Sequence, residues 1–255
     1  IGGQMEFGLA FEANSNLSLT PSSQAPAGTD SDETLFSRLG NIYYKHDDYG
    51  IFRIGKQWSV YYDVVIYGDE INVWGSSGSL AANGGTDGGI SGTGRAEQAI
   101  TWRKSFGNLS VGLQGQFQDE AVKFNDPSNP DNPLNGQEVG TVGNGYGFSL
   151  TYNLGKSNFG LTNVTAGTEL NGIFGDDNID DKTSAIAYWY GNALDKGLYV
   201  YAGYAESENH DTDNAGRYFD AVGTELVVRY RLENGLVPLF GFNRVEEDDS
   251  DYAGE

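Results

Sequence analysis

Cysteine is missing from all 255 residues, so the chain has neither a disulfide framework nor a thiolate metal site. Two histidines and one methionine leave little for imidazole catalysis or transition-metal ligation. Basic residues are scarce as well. Fifteen Lys and Arg stand against 36 Asp and Glu, and a net charge of −21 excludes nucleic acid as a partner. No run of 18 or more apolar residues occurs, so no transmembrane helix is expected. That absence leaves a membrane open, because barrel strands alternate lipid-facing with polar residues and read as hydrophilic overall. What the chain has in excess is glycine, about twice the usual share of roughly 7%, and tyrosine, with 16 copies.

Helical periodicity is nearly absent and period-2 alternation recurs throughout. Runs of this kind predict about eleven strands: 4–12, 35–46, 51–58, 95–105, 109–118, 146–154, 159–169, 183–191, 198–205, 224–232 and 236–244. Alternation is cleanest at 146–154. Tyr146, Phe148, Leu150, Tyr152 and Leu154 share one face, and Gly147, Ser149, Thr151 and Asn153 the other. The run 159–169 is blurred, as a β-bulge would make it, and Pro238 sits inside the last run. Connections alternate between long (13–34, 59–94, 119–145, 170–182, 206–221 and from 245) and short (47–50, 106–108, 155–158, 192–197, 233–235). An antiparallel meander with long loops at one end and short turns at the other is the transmembrane barrel pattern. Polar Gln, Ser, Thr and Arg on the second face imply a wet lumen.

One connection stands apart. Residues 59–94 open with Tyr61, Tyr62, Val64, Val65, Ile66 and Tyr67 directly after Trp58, turn acidic at Asp69 and Glu70, and close through Trp74 into a Gly/Ser/Asn tail. Burying each large apolar side chain is worth roughly 1.5–3 kcal/mol, so an exposed loop rarely carries so many. A connection beyond about 15 residues is usually functional or disordered, and this one is too apolar for disorder. Such a loop is expected to fold inward, inside a wide barrel.

The stretches Ser37-Arg38-Leu39-Gly40, Asp48-Tyr49-Gly50-Ile51-Phe52-Arg53-Ile54-Gly55-Lys56, Tyr61-Tyr62-Asp63, Tyr67-Gly68-Asp69-Glu70, Trp74-Gly75, Gly94-Arg95 and Ala99-Ile100-Thr101-Trp102-Arg103 resemble the general diffusion porins of Gram-negative outer membranes. The resemblance covers nearly the whole chain as one domain, 1–255. It implies an all-β, antiparallel transmembrane β-barrel of the 16-stranded type, of which about eleven strands are present, with 59–94 as the constriction loop. By the same resemblance the chain begins near the third strand of such a barrel and stops in the loop after the thirteenth. Where the family has Pro-Glu-Phe-Gly, this chain has Asn72-Val73-Trp74-Gly75; one acidic side chain is therefore missing, and Glu70 is the candidate to replace it.

The resemblance also assigns a constriction: Asp69 and Glu70 on the loop, Arg38 and Arg95 on the facing wall. Glu6, Arg53, Lys56 and Arg103 are secondary lumen charges, with a plain solvated polar residue as the alternative for each. Asp176, Asp177, Asp180 and Asp181 fall in a predicted long external loop, as do Glu246 and its acidic neighbours. A solvated loop tip is the simpler reading there, and divalent-cation bridging to lipopolysaccharide phosphates the sharper one, since Ca²⁺ takes clustered carboxylate oxygens. No cofactor is implied. The expected function is passive diffusion of ions and small hydrophilic solutes across the outer membrane, with a preference for cations, by a homotrimer in contact with lipid and lipopolysaccharide. Alternatives are a substrate-selective channel, for which Trp189, Tyr199 and Tyr201 face inward, and an outer-membrane barrel enzyme. The enzyme is disfavoured because His46 falls in a short turn and His210 in a long acidic loop.

Overall fold

The computed structural model describes residues 1–9, 35–71, 77–81, 89, 91–123, 132–133, 136–170, 178–212 and 218–247. Twelve strands form one sheet: β1 (Gly2–Leu9), β2 (Leu35–His46), β3 (Gly50–Trp58), β4 (Arg95–Phe106), β5 (Leu109–Gln116), β6 (Glu120–Lys123), β7 (Glu138–Leu154), β8 (Ser157–Leu170), β9 (Asn178–Tyr190), β10 (Gly197–Thr212), β11 (Tyr218–Arg231) and β12 (Leu239–Glu247). Every pairing is antiparallel and between chain neighbours, apart from β7, which pairs β5 with one half and β6 with the other. Since β5 and β6 meet successive segments of β7, they are one strand interrupted at 117–119. The meander therefore has eleven rungs, as the alternation predicts.

The wall is apolar outside because its exposed positions repeat with period 2. Ile42, Tyr44, Phe52, Ile54, Leu113, Tyr146, Leu150, Ile186, Leu198 and Phe240 are all exposed, and their neighbours in sequence turn the other way. That arrangement is stable only with hydrocarbon against it. On the inner side, where polar residues imply a wet lumen, part of the wall is covered. Thr162, Thr183, Val227 and Gln116 are at most 1% exposed, because the inward connection lies against them.

Three irregularities set which side chains face in. Glu6 pairs with Leu39 and Phe7 with Ser37, leaving Arg38 as the extra residue of a bulge in β2. Gln57 pairs with Ala96 and Gly55 with Ala99, so β4 carries a second bulge at Glu97-Gln98, where Gln98 has φ +46°. The irregularity expected in the run 159–169 lies in its partner, between Val142 and Gly145 of β7.

Four of the predicted long connections are partly strand: β6 and residues 138–145 of β7 lie within 119–145, and β12 continues to Glu247, so that Glu246 is in a strand. Strand β9 starts at Asn178, β10 ends at Thr212 and β11 starts at Tyr218, so Asp180, Asp181 and His210 lie in strands. At that end the outward positions are themselves charged. Lys182 bridges Glu208 at 3.1 Å and Asp180 at 4.0 Å. With both faces polar, the period-2 signal disappears and the strand reads as loop.

Candidate functional site

The chain leaves the wall and returns to it at one point. The Ser59 N–H donates to the Gly94 carbonyl (2.9 Å), and the Ser59 hydroxyl donates to the Thr93 carbonyl (2.6 Å) and accepts from the Tyr62 N–H (3.0 Å). Between these ends the chain forms a single helical turn, α1 (Tyr62–Val65), continued by a 3₁₀ turn (Ile66–Gly68), and further on a second 3₁₀ turn (Ser77–Ser79).

The first turn sits on small residues of β5, β7 and β8. A Cβ added to Gly160 would come within 2.7 Å of Val64, and one on Gly147 within 3.3 Å of Val60. Polar wall residues satisfy its backbone: the Val60 N–H donates to Gln114 Oε1 at 3.0 Å and Thr162 donates to the Val60 carbonyl at 3.4 Å. The returning limb is held by a ladder of glutamines. Gln114 Nε2 donates to the Gly92 carbonyl (3.0 Å), and Gln116 Nε2 donates to that of Gly89 (2.6 Å). Tyr67 stacks on Trp189 at 3.8 Å, and the Tyr199 hydroxyl donates to the Tyr67 carbonyl at 2.5 Å. Trp189, Tyr199 and Tyr201, all at most 5% exposed, are thus the bed of the loop and not a track along the lumen.

Among the described residues of the loop, each acidic side chain meets a different partner. Asp63 takes Arg103 Nε at 2.7 Å and the Ser149 hydroxyl at 3.3 Å; burial pushes its carboxyl above the usual range and Arg103 opposes that. Asp69 accepts from the Tyr62 hydroxyl at 2.8 Å. Tyr62 in turn stacks on Trp58 at 4.1 Å, and the Arg95 guanidinium lies 5.1 Å from the Trp58 ring. Burial first, then Asp69, raises the Tyr62 hydroxyl well above the ordinary phenol, while Arg95 and Arg38 both act to lower it. Asp69, Arg95 and Arg38 therefore share one electrostatic neighbourhood centred on Tyr62. Glu70 turns away from them and pairs with Arg229 of β11, a residue 9% exposed that the sequence reading missed. Only its inward parity, opposite Val228 and Tyr230, could have pointed to it.

The remaining candidates spread over the wall. Arg38 Nε is 2.7 Å from Glu6 Oε1, on the inner side, because the bulge turns it there. Arg53 donates to Gln4 Oε1 (2.8 Å) and Asn41 Oδ1 (2.9 Å). Lys56 lies elsewhere than in the lumen. Gln57 and Gly55 take the inner face, so Lys56 shares the outer face with Ile54 and Phe52, where its Nζ meets Glu97 Oε1 at 2.5 Å. The expected acidic cluster is likewise divided: Asp181 is buried against His210, Asp180 is exposed in β9, and Asp176 and Asp177 lie outside the described residues.

The chain matches the profile of a family described as Gram-negative porin over residues 1–252. It is 27% identical over 247 residues to outer membrane protein S2 of Salmonella typhi, covering 85% of this chain and 62% of that protein. It is also 27% identical over 244 residues to outer membrane porin C of Serratia marcescens, covering 88% and 60%. Among solved structures, Salmonella typhi OmpF in complex with daunomycin superposes with a TM-score of 0.61 at 21% identity, covering 87% of this chain and 63% of that one. The outer membrane channel DcaP of Acinetobacter baumannii gives 0.59 at 12% identity, covering 90% and 62%. The chain spans less than two thirds of the length of these relatives.

Proposed function

The chain belongs to the Gram-negative porin family, and from that premise we propose that it forms most of the wall and the constriction of a passive diffusion channel for ions and small hydrophilic solutes in the outer membrane. The observation that carries this reading is the inward connection, held against the wall by Gln114, Thr162 and Tyr199; Asp69, with Arg38 and Arg95 facing it, is proposed to bound the constriction. A charged gap between a loop and a facing wall sorts solutes by size and charge without any chemical step. Relatives named as outer membrane proteins support the location. A substrate-selective channel is less well supported, since the inward aromatics are spent on seating the loop. An enzyme is less well supported still: His46 accepts from the Asp48 N–H in an exposed turn, and His210 is buried. Planar-bilayer recording with the full chain tests the proposal, with stepwise conductance expected and its absence overturning it.

The lumen is proposed to prefer cations, in keeping with an excess of 21 negative charges. Cysteines placed at Asp69 and Ile71 are expected to react with small charged thiol reagents added from either side and to resist bulky ones. Equal reactivity toward bulky reagents would place this segment outside the channel.

A homotrimer is proposed as the assembly. Supporting it is the Lys56–Glu97 pair on the outer face, between Ile54 and Ile100. Charged groups at membrane depth are costly unless protein covers them, and a second copy against β2–β4 would do so. Cross-linking and native mass measurement in mild detergent are expected to give three copies, and a monomer alone under both would reject it. Lipid and lipopolysaccharide are the proposed neighbours of the remaining outer face, with divalent cations at Asp176 and Asp177 as the weaker part of that proposal.

A further inference from the structure

The second 3₁₀ turn of the inward connection presents three successive carbonyls, and each accepts from a different element. The Tyr61 hydroxyl donates to Ser79 O (2.6 Å), His210 Nε2 donates to Leu80 O (3.0 Å) and the Thr93 hydroxyl donates to Ala81 O (2.8 Å). Two of these donors belong to the connection itself. The third, His210, stands on the wall strand β10, is 1% exposed, and has Nδ1 within 2.8 and 3.0 Å of the two Asp181 oxygens on β9.

A carbonyl only accepts, and an ionised carboxylate only accepts. A ring with an acceptor at each nitrogen satisfies both only when both nitrogens carry protons. We propose that His210 is held as an imidazolium ion-paired to Asp181, and that it acts as a positioning residue, a protonation-controlled latch fixing the 77–81 segment to the wall. This inference rests on the channel reading only for its consequence, that the latch sets the width of the passage; the latch itself stands on the geometry.

Among the described residues, the other titratable groups near the ring are Glu225, Asp220, Lys182 and Glu208. Glu225 of β11 is buried under the same segment, its Cγ near Gly78, and it and Asp181 both act on the Tyr61 hydroxyl. Asp220 of β11 is engaged by the Asn209 N–H, and Lys182 and Glu208 of β9 and β10 pair on the outer face. Loss of the Nε2 proton would set a lone pair against the Leu80 carbonyl, and loss of the Nδ1 proton a lone pair against Asp181. Either removes one arm of the latch. The latch is therefore intact at low pH and released as pH rises through the titration of His210.

The sequence has two histidines, so His46→Gln leaves one ring to observe. In that protein, in detergent micelles, ¹⁵N spectra are expected to show both His210 nitrogens protonated at acidic pH and one proton lost on raising it. Over the same interval the hydrogen-exchange protection factor of the Leu80 amide, corrected for intrinsic rate, is expected to fall about tenfold, the effect of one charge-assisted hydrogen bond. Adding His210→Gln should abolish the step. Should that variant fail to fold, the pH series on the single-histidine protein decides alone. A neutral ring beside a protonated Asp181 at acidic pH, or protection that does not change while the ring titrates, would overturn the proposal. Neither readout requires conductance, so a failed latch and a failed channel are told apart.

Discussion

Gly223→Val is expected to unseat the inward connection and raise single-channel conductance while leaving the strands in place. Gly223 lies in β11, which is paired on both sides by β10 and β12. A Cβ at this position would stand 2.2 Å from the Gly78 carbonyl oxygen and 2.8 Å from its carbon. Both are backbone atoms, so no rotamer change relieves the clash. A strand with a ladder on each edge resists displacement more than a 3₁₀ turn does, and the turn yields. Its movement breaks the contacts of Tyr61, His210 and Thr93 with Ser79, Leu80 and Ala81, each worth about 1 kcal/mol net. Overpacking of this kind costs roughly 1–3 kcal/mol before any relaxation. The measurement pairs channel recording with amide exchange: fast exchange at Leu80 and unchanged exchange in β10 and β11 is the expected result. A variant that keeps wild-type conductance and protection would show that the Gly78–Gly223 approach does not hold the loop.

The second large effect concerns charge. Asp69→Asn is expected to cut the proposed cation preference sharply, because Asp69 is the loop carboxylate proposed to face Arg38 and Arg95. Glu70 behaves differently, since Arg229 already sits against it. Glu70→Gln alone leaves the Arg229 guanidinium, itself 9% exposed, without this carboxylate. Selectivity should then shift toward anions. Removing both charges, as Glu70→Gln with Arg229→Gln, should return it nearly to the starting value. Asp176→Asn with Asp177→Asn, in the connection that the sequence leads one to expect outside the channel, should do little at physiological salt, where the Debye length is about 8 Å. The readout is the zero-current potential across a salt gradient at low and high ionic strength. If that double variant moves it as far as Asp69→Asn does, the constriction is misplaced.

Much of the fold was legible because lipid imposes a strict rule on one face. Wherever outward residues touch hydrocarbon, period 2 stands out, and the eleven rungs emerge from it. Beyond the apolar band that rule lapses. The ends of β9 and β10 carry charge on both sides, so Asp181 and His210 read as loop although they lie in strands. Bulges are a second source of error, because one extra residue reverses the parity of every later position in its strand. Arg38 turns inward through such a bulge, and Lys56 remains on the outer face next to another. Arg229 was passed over for a different reason: along a strand with Glu225 and Arg231 on the same parity, nothing in the alternation singles out the one that meets Glu70.

The inward connection also dictates an order of assembly. Its partners lie far along the chain: Tyr67 and Tyr199 are 132 residues apart, Leu80 and His210 are 130, and Glu70 and Arg229 are 159. Neighbouring strands, by contrast, lie next to each other in the chain, every second pair across a short turn, and can zip one after another. Contacts of such wide separation carry a high entropic cost of closure and form late. Until β7 to β11 are laid down, Tyr61, Val64 and Val65 lack most of the surface they cover and remain a sticky apolar segment. The nascent barrel passes through a state with its plug unplaced, and it is in that state that a membrane-inserting chain is most exposed to proteases and to misassociation.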